Sequence, residues 1–197
     1  MAITSIKTGS SFTNLVKYND FLGPNSAYIP TSYESIASAT GTGSSNTITL
    51  SSIPSTYKHL QLRIFETATL GAGASTLSLR VNGDTASNYA RHQLIGDGTS
   101  ASAAGTASTT SITLSTISPD SASNIGSVAI IDIHDYASST KNKTIKLFSG
   151  CDRNGLGQVF LGSGVWLSTT AINSLTVFLT STSLATSSTF ALYGIKA

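Results

Sequence analysis

From Tyr33 onward, apolar and polar residues alternate in short runs, each closed by turn residues. Over residues 46–51, Ile48 and Leu50 alternate with Thr47 and Thr49. Over 59–66, Leu60, Leu62 and Ile64 alternate with Gln61, Arg63 and Phe65. Over 75–81, Leu77, Leu79 and Val81 share one side, Ser78 and Arg80 the other. A repeat of two sends successive side chains to opposite faces, so each run predicts a half-buried β-strand. Further strands are predicted over 33–39, 89–95, 111–115, 127–136, 141–149, 158–167 and 172–180, with a last one from 188 to the chain end. Asn82-Gly83-Asp84 predicts a turn, and residues 137–140 a hairpin between their flanking strands. Residues 96–109, mostly Ser, Ala, Gly and Thr, read as a long loop.

Many short strands and almost no helix predict an all-β protein, an antiparallel two-sheet β-sandwich of jelly-roll-like character. Its inward residues should include Leu60, Leu62, Ile64, Leu77, Leu79, Ile131, Ile133, Leu175, Val177 and Leu192. A chain ending inside its own sheet is expected to close the core with its last strand. No repeat period emerges, which argues against a solenoid or propeller.

Residues 1–32 break the pattern. Phe12, Leu15, Val16, Tyr18 and Phe21 crowd a short piece in which Thr13 is positioned to cap a helical turn or two, and Gly23-Pro24-Asn25-Ser26 then turns the chain. So short a piece is marginal alone and must lie on something apolar. The expected organisation is an N-terminal assembly arm over 1–32 and a β-sandwich over 33–197. The five apolar residues of the arm are the candidate interface with a sister subunit or another protein.

Composition narrows the class. The chain has 197 residues, 40% hydrophobic but only 10% charged, against about 25% charged in typical soluble domains. Ser and Thr, about a third of the residues, replace the missing charges. That suits strands, turns and the uncharged surfaces common on extracellular and virion proteins. A net charge of +2 with no clustered basic face gives no reason to expect nucleic acid. No apolar run is long enough for a membrane span, and residues 1–10 lack the apolar core of a secretory signal. These features together lead to the expectation of a protein assembled in a host cytoplasm and released by lysis.

Candidate chemistry is sparse. Cys151 is the single cysteine, so no intrachain disulfide can form, and it reads as a small buried side chain. Asp132 and His134 point to one strand face, joined by Tyr136; a metal site there would need Asp152 or His92 from elsewhere, and nothing specifies them. The plainer reading is a strand with a core face of Ala129, Ile131 and Ile133 and a polar outer end. Lys141, Lys143 and Lys146 read as guards against edge-to-edge pairing. Trp166, the only Trp, is a core or interface anchor, or a platform on which a sugar stacks. No phosphate cradle, nucleophile elbow or paired carboxylates stand out, so no catalytic residue, metal or cofactor is expected.

Several stretches together resemble a family of jelly-roll proteins of tailed bacteriophages, notably of cyanobacterial and marine phages. They are Pro30-Thr-Ser-Tyr-Glu-Ser-Ile36, Ile53-Pro-Ser-Thr-Tyr-Lys-His-Leu-Gln61, Asn82-Gly-Asp-Thr85, Asp135-Tyr-Ala137 and Phe190-Ala-Leu-Tyr-Gly-Ile-Lys196. The resemblance covers about residues 28–197. It implies a non-enzymatic virion protein, expected to form a homotrimer. The leading expectation is a capsid decoration (cement) protein bound to the major capsid protein on the outside of the head. The alternative is a short tail-fibre, baseplate or receptor-binding protein that contacts host glycans, with Trp166 as the candidate contact.

Overall fold

The computed structural model describes residues 32–69, 75–116, 119 and 124–196. The chain divides into two units, 1–31 and 32–197. The arm residues Phe12, Leu15, Val16, Tyr18 and Phe21 lie outside the described residues.

Among the described residues, twelve strands form two antiparallel sheets that pack as a sandwich. They are β1 (Tyr33–Thr40), β2 (Thr47–Leu50), β3 (His59–Glu66), β4 (Leu77–Val81), β5 (Tyr89–Gly96), β6 (Ala101–Thr109), β7 (Ile112–Ser115), β8 (Ser127–His134), β9 (Lys143–Asp152), β10 (Gly157–Trp166), β11 (Leu175–Leu179) and β12 (Thr189–Ile195). The large sheet runs β1-β12-β3-β8-β9-β10-β5-β6 and the small one β2-β11-β4-β7. No helix occurs among the described residues.

The two-residue period explains the core. Leu60, Leu62 and Ile64 on β3, Ile131 and Ile133 on β8, and Leu192 on β12 point in from the large sheet, and all are buried. Leu77 and Leu79 on β4 and Leu175 and Val177 on β11 meet them from the small sheet. The ten residues named from the alternation all lie in this core. The 137–140 hairpin is also present, since β8 and β9 pair antiparallel from Val128↔Gly150 to His134↔Thr144.

Residues 96–109 are not a loop. After Gly96 the chain turns at Asp97, whose Oδ1 accepts the backbone N–H of Thr99 (2.9 Å) and Ser100 (2.7 Å). It then returns as β6, paired with β5 from Gly96↔Ala101 to Tyr89↔Thr109. Ala, Ser, Gly and Thr carry no apolar alternation, so the strand owes its form to the hairpin beside it rather than to its own side chains.

The strand predicted over 127–136 stops at His134. Asp135 turns into the left-handed region (φ 48°) and redirects the chain. Tyr136 therefore goes into the core, fully buried, and does not join Asp132 and His134 on the outer face.

Candidate assembly surface

The register of the large sheet fixes what its outer face carries. One row of outward side chains runs Arg63, Ile130, Phe148, Leu161, Leu94, Ala103 across β3, β8, β9, β10, β5 and β6. The next runs Phe65, Val128, Gly150, Val159, Gly96, Ala101 across the same strands. Seven large apolar side chains thus form one band: Phe65, Val128, Ile130, Phe148, Val159, Leu161 and Leu94 are each 38–52% exposed. Scattered apolar residues on a surface are ordinary, whereas a contiguous patch marks a site of interaction. Beside the band lies a polar row of Tyr193, Gln61, Asp132, Lys146, Ser163 and His92. A shallow hollow of about 650 Å³ opens where small residues of β6 adjoin Leu94 and Leu161.

The band was present in the sequence as broken alternation. Val128-Ala129-Ile130-Ile131, Leu147-Phe148 and Val159-Phe160-Leu161 are consecutive apolar residues, which make both faces of β8, β9 and β10 apolar. Such runs carry no period of two to say which of their residues turn inward.

Four of the five stretches that carry the family resemblance meet at the opposite, polar end of the sheet. Glu34 accepts the Tyr57 hydroxyl (3.0 Å) and pairs with Lys196. Hydrogen bonds from Lys196 and then Tyr57 hold its carboxyl below the usual range. Burial and Glu34 push the Tyr57 phenol up. The Tyr57 ring lies flat on Gly194, where an added Cβ would stand 2.3 Å from a ring carbon. Tyr136 donates to the Pro54 carbonyl, and its oxygen accepts the Tyr57 N–H (3.3 Å). Asp135 bridges Lys141 (2.6 Å) and Lys58 (2.7 Å), and hydrogen bonds from both, Lys141 first, hold it far below the carboxylate range. His59 Nδ1 accepts the Asp135 N–H (3.1 Å), and its ring meets the His134 ring edge-on at 4.8 Å. Burial first, then His134, lowers the His59 pKa.

Asn82-Gly83-Asp84 works the same way at another corner. Asn82 and Gly83 take positive φ (52° and 67°) to turn the chain. Asn82 Oδ1 accepts the N–H of Asn173 (2.9 Å) and Ser174 (3.2 Å). Asp84 accepts the Trp166 indole N–H (2.7 Å) and the Asn88 amide (2.9 Å), which lower its pKa, the indole most. The stretches that carry the resemblance are therefore devices that fix turns and strand ends.

The other singled-out residues fall as follows. Trp166 is 3% exposed, with its indole edge engaged by Asp84, so no ring face is open to a sugar. Lys143 does not guard an edge, because β9 is a central strand and Lys143 points inward at its end. Its ammonium donates to the carbonyls of Ser138 (2.7 Å), Lys141 (2.7 Å) and Thr169 (3.1 Å), and burial lowers its pKa. Lys146 faces out next to Asp132, and Lys141 serves Asp135. Cys151 is buried, which raises its thiol pKa. Among the described residues, no three His, Cys, Asp or Glu side chains gather as metal ligands. Among the described residues, β1 and β6 are the edge strands of the large sheet, and Ala101–Ser108 of β6 is exposed throughout. No family model, no curated protein and no solved structure matches the chain.

Proposed function

We propose that this chain is a non-enzymatic structural protein of a tailed-phage particle, a decoration protein on the outside of the head that works as a homo-oligomer, a trimer if the resemblance carries over. The apolar band carries the reading. Seven half-exposed large side chains on one flat face form a surface suited to being covered, and association removes them from water. A Ser/Thr-rich exterior with few charges adds little repulsion between neighbouring copies. The resemblance supplies the virion context, and it rests on residues that hold turns in place. The tail-fibre alternative loses its glycan contact, because Trp166 is an internal anchor.

The test is location in the particle. An epitope tag on the chain, followed by gold labelling of purified virions, should mark the head lattice. Label confined to the tail would replace decoration with the fibre reading, and absence from purified particles would end both.

A further inference from the structure

The outer face of the large sheet is complementary to itself. A register line crosses five strands through Ile64, Ala129, Ser149, Phe160 and Ile95. On two of the five strands the outward residues on its two sides are matched large against small. Phe148 stands across from Gly150 on β9, and Leu94 from Gly96 on β5. Leu161 and Val159 flank it on β10, Ile130 and Val128 on β8, and Arg63 and Phe65 on β3.

We propose that a second copy of this chain packs on this face, sheet on sheet, about a twofold axis lying along that line between the two sheets. Rotation about this axis lays each strand antiparallel over its own counterpart, and each residue over its mate across the line. Phe148 then sits over Gly150 of the second copy, and Leu94 over Gly96. Leu161 meets Val159, and Ile130 meets Val128. Aligned sheets about 10 Å apart interdigitate in this way. An isologous contact is the natural use of one self-matching patch.

Charge selects this axis over the other in-plane choice. On β9, Lys146 and Asp152 are each three residues from Ser149, both outward and exposed. The proposed axis brings Lys146 of each copy over Asp152 of the other, twice by symmetry. An axis running along the strands would instead set Lys146 over Lys146. Size agrees as well. Five strands at about 4.8 Å and four outward rows at about 6.8 Å give roughly 650 Å² per copy, or about 1,300 Å² for the two together, within the roughly 1,200–2,000 Å² of stable interfaces. The apolar rows fall at the centre, with Gln61, Asp132 and His92 toward the rim, the usual anatomy of an interface.

Sedimentation equilibrium of the full chain at tens of micromolar tests this. The expected mass is two chains, or six where a threefold ring is doubled. Phe148→Glu should weaken the twofold contact by about a hundredfold or more, with an unchanged β-sheet circular dichroism spectrum. Lys146→Glu and Asp152→Lys should each weaken it about tenfold, and the double variant should recover to near wild type. The double variant keeps any defect Asp152→Lys causes in its own turn, where Asp152 accepts the Gly155 N–H (3.1 Å), so recovery reports the charge pairing alone. A mass of one or three chains overturns the proposal, whatever else covers the band. So does an even mass indifferent to Phe148→Glu, or a double variant as weak as the singles.

Discussion

The sandwich has two outer faces, built from the same alternating pattern and finished differently. The small sheet presents Thr47, Thr49, Thr176, Arg80 and Phe178. Thr49 and Thr176 join hydroxyls across strands at 3.2 Å, and the Arg80 guanidinium lies over the Phe178 ring at 4.4 Å. Its polar groups find partners within the face or in water. The large sheet presents a band of Phe, Ile, Leu and Val whose apolar area has no partner among the described residues. Both faces belong to one fold, so among the described residues the band lies outside the core that the two sheets pack between them. The difference separates what holds the sandwich together from what it leaves on its surface.

Neighbouring residues on β9 allow the sharpest test of that separation. Leu147 is buried and Phe148 is half exposed on the opposite face. Leu147→Ala should destabilise the chain by about 3 kcal/mol, the usual cost of a large-to-small change in a packed core. Phe148→Ser should cost the isolated chain about 1 kcal/mol and act mainly on association. Thr176→Ser, on the small sheet, should change neither. Urea melts of dilute protein, with light scattering at high concentration, measure both quantities. If Phe148→Ser unfolds the chain as readily as Leu147→Ala, the two faces are not separable in the way described.

How much of this was legible in the sequence follows from the same contrast. The inner face was readable because Leu60, Leu62 and Ile64 alternate with Gln61 and Arg63, and a period of two is a local signal. The outer band was not, because Val128 to Ile131 shows no alternation and a run of apolar residues does not say which of them faces inward. β6 was missed for a related reason: Ala101–Thr109 holds its extended form through pairing with β5. Tyr136 was assigned to the wrong face because one left-handed residue, Asp135, cannot be seen as a break in period. Lys143 reads as surface because a lysine fully inside is rare; the carbonyls of Ser138, Lys141 and Thr169, from two loops, must first converge to solvate it. The motifs of the resemblance were visible, and their role as turn-holding devices emerged only when Glu34, Tyr57, Asp135 and Lys196 came together in space.

Lys143 is the charge on the inner side of this comparison, and it gives the next largest effect. Lys143→Met keeps the stem and removes the ammonium, which leaves the carbonyls of Ser138, Lys141 and Thr169 without their shared donor. Stranded buried acceptors typically cost 1–3 kcal/mol, so a loss of about 2 kcal/mol is expected. Lys146→Met, outward on the same strand, should change folding stability by less than about 0.5 kcal/mol. Equal effects from the two would mean that the Lys143 carbonyls are satisfied by water.

Gly194 probes the polar end of the large sheet. Its closeness to the Tyr57 ring leaves no room for a methyl group, and Tyr57 is tied to Glu34 and the Tyr136 hydroxyl. Gly194→Ala should cost about 1–2 kcal/mol, in the range of overpacking. A Tyr57→Ala background should abolish most of that penalty, since the obstructing ring is gone. Persistence of the full cost without the ring would point to the β12 backbone instead.

The smallest effects are in acid, at the same polar end, where His59 and the carboxylates all lose stability as pH falls, each over its own range. The folded state holds the His59 pKa below its ordinary value of about 6.5. The unfolded chain therefore takes up a proton first, and stability begins to fall as pH drops through about 6.5. The groups facing that ring are His134, Asp135, Lys58 and Asp132; Asp135 and Asp132 moderate the shift and Lys58 adds to it. Asp135 acts lower down. Its folded pKa is depressed, so its contribution is fully present above the ordinary carboxylate value of about 3.9 and is lost as pH falls below it. Melting temperature against pH should show a shallow decline below about 6.5 and a steeper one below about 4. His59→Asn, which can still accept the Asp135 N–H, should remove the first decline and keep the second. Asp135→Asn should start lower at neutral pH and flatten the second. A wild-type curve that is level from pH 7.5 to 5.5, or a His59→Asn curve with the same slope there, would take His59 out of the account and leave the carboxylates Asp135 and Glu34 as the acid-sensitive groups of this end.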